Sequence, residues 1–125
     1  MARVLVIDDD EDVRDVVLTA LELRGHDGTA ACDGASGLAA VRAHTPDVVL
    51  LDCRMPGLDG PGVLAAMQAD PLLRRVPVVF MTADGGEEAK ASYLTQGATD
   101  VLEKPFEPLA LLELVRSITA GKRLD

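Results

Sequence analysis

Pro46-Asp47-Val48-Val49-Leu50-Leu51-Asp52 is an apolar run that ends on a carboxylate, and Met55-Pro56-Gly57 follows almost at once. Four successive apolar residues, two of them β-branched, describe a strand buried on both faces, as in the middle of a parallel sheet. Asp52 then stands at the strand's carboxyl end. Open α/β sheets bind ligands outside the carboxyl ends of their strands, so a charged side chain there is a functional candidate. The competing assignment is a helix N-cap, a position that Asp also favours.

The segments on either side supply the comparison. Arg3 to Ile7 is a second short apolar run, and it too ends on acid, Asp8-Asp9-Asp10-Glu11-Asp12. Val13, Val16, Val17, Ala20 and Leu21 then recur at the spacing of one buried helix face, and Gly25 stops the helix. Asp27 to Cys32 is a weaker strand that suits a sheet edge, and Gly34 to His44 a second helix carrying Leu38 and Val41. After the opening stretch, Gly62 to Ala69 is predicted helical around Val63, Leu64 and Met67, and Asp70-Pro71 breaks it. Val76 to Thr82 is an apolar strand ending on a hydroxyl. Glu87 to Gln96 is a weakly hydrophobic helix closed by Gly97, Val101-Leu102 a short strand running into Glu103-Lys104-Pro105, and Leu109 to Ile118 a final amphipathic helix. Five β-α alternations predict an α/β protein of three layers, a mostly parallel sheet with helices on both faces.

At 125 residues the chain is expected to form one domain. Only Phe80, Tyr93 and Phe106 are aromatic, so the core must be aliphatic. A net charge of −9 argues against direct binding to nucleic acid, which needs clustered Lys and Arg, and against anionic membrane surfaces. No apolar stretch is long enough to span a bilayer and no leader precedes the first strand, so a cytoplasmic protein is expected. With the first strand between them, Cys32 and Cys53 would lie about 10 Å apart, too far for a disulfide. Both are read as free thiols, and neither shows zinc-ligand spacing with His26 or His44.

The strand ends carry the chemistry: Asp8 and Asp9, Asp52, Thr82, and Lys104. A parallel sheet brings them to one edge. Carboxylates converging there raise one another's pKa unless a cation intervenes, and a few hard oxygen ligands suit Mg²⁺. A metal, a carboxylate nucleophile, a hydroxyl and an ammonium are the parts that move a phosphoryl group. Taken singly, Asp8, Asp9 and Thr82 are ordinary helix caps and Lys104 an ordinary surface charge; their joint placement is not ordinary.

Ile7-Asp8-Asp9, Asp52-Cys53-Arg54-Met55-Pro56-Gly57-Leu58-Asp59-Gly60, Thr82-Ala83 and Lys104-Pro105-Phe106, in this order and spacing, resemble the receiver (CheY-like) domain of bacterial two-component response regulators. The resemblance covers nearly the whole chain. It implies a flavodoxin-like (βα)5 fold with strand order 2-1-3-4-5 over residues 1–121, leaving 122–125 as a tail or the start of a linker. It implies that Asp52 accepts a phosphoryl group from a histidine kinase or histidine phosphotransfer protein. Mg²⁺ or Mn²⁺ would be held by Asp9, Asp52 and the backbone carbonyl of Arg54, with Asp8 acting largely through water. Thr82 would turn toward the phosphoryl oxygens, Lys104 would pair with them, and Lys104-Pro105 would be cis. Arg54 and Asp84, each two residues beyond a site residue, would tune the access of water, with Ala83 and Pro105 beside them. Such a domain regulates rather than turns over a substrate, assists its own phosphorylation and dephosphorylation, and signals to a downstream protein or an output domain. Homodimerisation on phosphorylation stays open.

The chain departs from the family at Val101, where Tyr or Phe usually stands three residues before the lysine. A Val cannot make the inward rotation of a large ring, so the Thr-aromatic coupling is in question, and output would instead be read through displacement of the loop after Thr82 and of the fourth helix; Tyr93 on that helix could substitute for the ring, although a lone aromatic on a helix is more often a packing residue. Three alternatives compete. Asp8-Asp9-Asp10 contains the Asp-x-Asp of haloacid-dehalogenase-type phosphatases, but no acid ends a strand after Lys104. A docking module that has lost phosphorylation is disfavoured by the intact Asp, Thr and Lys set. A nucleotide or flavin binder would need a glycine-rich loop after the first strand.

Overall fold

The computed structural model describes residues 1–124, and the side chains of residues 1–121. The expected tail at 122–125 therefore lies outside the fully described residues. The elements run β1 (Arg3–Ile7), α1 (Glu11–Leu23), β2 (Asp27–Ala31), α2 (Gly34–His44), β3 (Val48–Asp52), α3 (Gly60–Ala69), β4 (Val78–Thr82), α4 (Glu87–Thr95), β5 (Asp100–Glu103) and α5 (Pro108–Leu124). All strand pairs are parallel, in the order β2-β1-β3-β4-β5. The expected architecture is the observed one.

Alternation along the strands builds two cores. Leu5, Ile7, Val49, Leu51, Val78 and Phe80 face α2 and α3, where Leu38, Val41, Val63, Leu64 and Met67 meet them. Val4, Val6, Val48, Leu50, Val79 and Met81 face α1 and α5, against Val17, Leu21, Leu111 and Val115. β3 and β4 are buried at every residue, which is why their sequences show no polar alternation. β2, at the edge, is mostly exposed.

Some boundaries differ from the sequence expectation, each for a local reason. α3 begins at Gly60 rather than Gly62, because Asp59 caps it by accepting from the Gly62 N–H at 2.9 Å and Pro61 suits its first turn. β4 begins at Val78 rather than Val76, because the Val76 N–H turns back to the Leu73 carbonyl and Pro77 has none to give. Val16, expected in the buried face of α1, is 49% exposed. It sits at the flank of that face, beside an open apolar hollow lined also by Val13, Pro105 and Phe106.

The caps also resolve the role of the strand-end acids. Asp10, Asp33 and Asp59 accept from the backbone at the starts of α1, α2 and α3. Asp52, Asp8 and Asp9 cap none of these helices. α4 has Gly86 at its N-cap and so no side-chain cap at all.

Candidate functional site

At the carboxyl edge of the sheet, β1, β3 and β5 bring Asp8, Asp52 and Lys104 into contact. The Lys104 ammonium donates to Asp8 Oδ2 at 2.8 Å and to Asp52 Oδ1 at 3.2 Å. Asp8 is fully buried and Asp52 only 6% exposed, so these are charges held largely out of water. The parity of the strands explains the convergence. Asp8 continues the side of β1 that carries Val4 and Val6, and Asp52 the side of β3 that carries Val48 and Leu50, so both point toward the α1/α5 layer.

Asp9 joins them from the loop, exposed, and carboxylate oxygens of Asp8, Asp9 and Asp52 lie within 4.8 Å of one another. The three acids differ in what they have left to offer. Asp8 is committed at both oxygens, since Oδ1 also accepts from the Asp10 N–H at 2.9 Å. Among the described residues, no hydrogen bond or ion pair engages the Asp9 side chain.

Burial raises the pKa of Asp52, and the negative charge of Asp8 raises it further against the opposing pull of Lys104. For Lys104, burial works against the charge, but its bonds to Asp8 and then Asp52 outweigh that and hold the pKa above the ordinary lysine value. One ammonium thus balances one carboxylate of three. The excess negative charge and the oxygen-only donor set fit a hard divalent cation.

Thr82 ends β4, 4% exposed, its Oγ1 accepting from the Asp84 N–H at 3.0 Å. Its backbone carbonyl receives the Lys104 N–H at 2.7 Å, tying the ends of β4 and β5 together. Ala83 and Asp84 are exposed on the loop that follows, and Asp84 Oδ1 accepts from Gly86. Arg54 is exposed next to the site, its backbone N–H directed at the Asp52 carboxylate. Among the described residues Arg54 and Asp84 form no ion pair. The Lys104-Pro105 peptide is cis, and Val101 packs half-buried against the α2/α3 core.

One residue of the site was not placed there by its sequence context. Tyr93 of α4 packs its ring on Phe80 with centroids 4.9 Å apart, and its hydroxyl faces the side chains of Cys53 and Thr82. Burial, then the nearby Cys53, raises the pKa of Tyr93, and burial raises that of the Cys53 thiol. The signal was parity: Thr82 and Phe80 point to one side of β4, and Cys53 continues the side of β3 that carries Leu51. Both cysteines are free, Cys32 exposed and Cys53 buried.

Residues 4–116 match the family model described as the response regulator receiver domain. The response regulator PleD of Caulobacter vibrioides is 38% identical over 121 residues, a match covering 97% of this chain and 27% of PleD. Protein PilH of Pseudomonas aeruginosa is 36% identical over 97% of this chain and 100% of its own length. The structure of the Francisella response regulator 1452 receiver domain superposes with a TM-score of 0.91 at 32% identity, covering 100% of both chains. The chain thus spans about a quarter of one such relative and the whole of another.

Proposed function

The chain belongs to the response regulator receiver domain family of two-component systems, and from that premise we propose that Asp52 accepts a phosphoryl group from a phosphohistidine of a histidine kinase or phosphotransfer protein. The observation that carries this reading is Lys104 held between Asp8 and Asp52 at the mouth of the sheet. A lysine bonded to the would-be nucleophile already stands where a phosphoryl oxygen would develop charge.

In the reaction, an Asp52 oxygen attacks phosphorus in line, a P–O bond forms, the P–N bond breaks, and its electron pair stays on the imidazole nitrogen of the donor. Burial leaves the Asp52 carboxylate poorly solvated, so little water must be stripped from it before attack. Lys104 exchanges a carboxylate partner for a phosphoryl oxygen. Thr82 offers its hydroxyl to another, and the backbone N–H of Asp84 lies beside it.

Receiver domains bind Mg²⁺ at an acidic pocket, and the acids here fit that use. Asp9, Asp52 and the Arg54 carbonyl would hold Mg²⁺ or Mn²⁺, whose chemistry is to neutralise the charge on the transferring phosphoryl oxygens. Asp8, already committed to Lys104 and the Asp10 N–H, would act through water. The same residues would assist both phosphorylation and hydrolysis of the acyl phosphate, with Arg54, Ala83 and Asp84 setting how water enters. Pro105 shapes the loop that presents Lys104. Residues 1–121 would be the phosphoacceptor domain, and the signal would pass to a protein partner or output domain in the cytoplasm rather than to nucleic acid directly.

The test is incubation with acetyl phosphate and Mg²⁺ followed by intact mass. A Mg²⁺-dependent phosphate adduct in the wild type that is absent in Asp52→Ala is expected. An adduct retained by Asp52→Ala, or none in either protein, overturns the reading.

A further inference from the structure

The acid-rich loop after β1 is followed at once by a single cation. Arg14, half-buried at the end of the first turn of α1, stands close in the chain to the acids from Asp8 to Asp12 and to Asp15. A guanidinium bonds most strongly to a carboxylate, because both partners are then charged. Among the described residues, however, Arg14 forms no ion pair. Its Nη1 donates instead to the backbone carbonyl of Asp8 at 2.8 Å. α1 is a firm mount for this bond, since Val17 and Leu21 fix the helix in the core one and two turns further on.

The Asp8 carbonyl belongs to the peptide that joins Asp8 to Asp9. The next peptide, from Asp9 to Asp10, is held as well, its N–H donating to Asp8 Oδ1 at 2.9 Å. Further along, the Asp10 carbonyl accepts the Arg14 N–H at 3.1 Å, so Arg14 grips the loop at two points. Peptide groups are planar, and holding the planes on both sides of Asp9 restricts its two backbone torsions and the direction of its Cα–Cβ bond. Asp9 thus reaches Asp8 and Asp52 from a backbone tied down on both sides, although its own carboxylate makes no bond among the described residues. No other side chain there donates to the Asp8 carbonyl.

We propose that Arg14 is a positioning residue of the cation site, aiming Asp9 at the divalent ion through its bond to the Asp8 carbonyl. The proposal rests on the reading of Asp9 and Asp52 as ligands of Mg²⁺. Two effects of the side chain oppose each other. Its positive charge repels a cation, so loss of the charge alone would tighten Mg²⁺ binding. Its bond preorganises a ligand, so loss of the bond weakens binding, as when a partner that orients a metal ligand is removed. The bond outweighs the charge because water and salt screen a half-exposed guanidinium, whereas nothing else on α1 replaces the tie to that peptide.

The opposed signs make the test decisive. Mg²⁺ binding to the full chain is measured by titration calorimetry at constant ionic strength in the wild type, Arg14→Met and Arg14→Gln. Met keeps the apolar stem and removes the charge and the donors; Gln keeps a donor on a stem too short for the Asp8 carbonyl. Both variants should raise the Kd for Mg²⁺ by about tenfold. The Mg²⁺ concentration that gives half-maximal adduct formation with acetyl phosphate should rise by the same factor. Each variant is read independently, so loss of folding in one leaves the other to decide. An unchanged Kd in a folded variant makes Arg14 a helix residue with no part in the site, and a lowered Kd shows that only its charge is felt; either result overturns the proposal. A wild type that takes up no Mg²⁺ in the calorimeter overturns instead the assignment of Asp9 and Asp52 as ligands, and this role of Arg14 with it.

Discussion

Single side chains were most legible where their chemistry conflicts with their surroundings. Asp52 and Lys104 stand out in sequence because a charge ends an apolar run, and the structure joins them at 3.2 Å. Tyr93 stood out less, because an aromatic on a helix fits a core as well as a site; only the three-dimensional neighbours of its hydroxyl distinguish the two. His26 is a residue whose role was invisible in the sequence. Its Nδ1 accepts from the Ala2 N–H at 3.0 Å, linking the start of β1 to the turn before β2. Burial, then the positive chain terminus, lowers its pKa below the ordinary 6.5. The folded state thus binds its proton less readily than the unfolded one. His26's contribution to stability is complete above the ordinary histidine value and is lost as pH falls through that value toward the lowered one. The protonated ring also has no acceptor left for Ala2. A proton NMR titration of His26 should give a midpoint below 6.5, and a midpoint at or above that value contradicts the assignment.

At the scale of elements, type and order were readable from periodicity, while boundaries depended on turn chemistry that periodicity does not register. α3 starts two residues early because Asp59 and Pro61 make a good first turn, although neither contributes to the apolar pattern. That early start has a consequence for the site. Gly60 opens α3 directly behind Asp52, its N–H donating to the Cys53 carbonyl at 3.1 Å. A Cβ there would stand 2.5 Å from the Asp52 carbonyl oxygen and 2.8 Å from Cys53 Cα, both backbone atoms that cannot swing aside. Gly60→Ala should therefore destabilise the protein by about 1–3 kcal/mol, the range for forcing extra atoms into a packed site. On the proposed role of Asp52 as phosphoryl acceptor, it should also slow phosphorylation by displacing that residue. Urea denaturation and the acetyl phosphate assay read the two effects. Wild-type values for both in Gly60→Ala would show that the α3 start does not constrain Asp52.

For the whole molecule, the fold follows from two aliphatic cores on a sheet whose central strands are apolar throughout, and this much the linear pattern could show. What it could not show is the charge balance, because distances between acids from different strands exist only after folding. A net charge of −9 is spread over the surface, but Asp8, Asp9 and Asp52 concentrate three carboxylates against one lysine at the sheet edge. Two kinds of cation effect can then be separated. Salt screens the diffuse surface charge weakly at low ionic strength, whereas a divalent ion bound at the acids stabilises only the folded state. At a hundredfold excess over its Kd, Mg²⁺ should add about 2.7 kcal/mol. For a domain of this size that is a rise in Tm of roughly 8–12 °C. NaCl at matched ionic strength should give a small fraction of it. In chelator, Asp52→Asn should melt above the wild type, since it removes one of two buried like charges, and its gain from Mg²⁺ should be markedly smaller. Equal gains from Mg²⁺ and NaCl, or equal Mg²⁺ gains in the wild type and Asp52→Asn, would mean that the acids share an edge without forming a cation site.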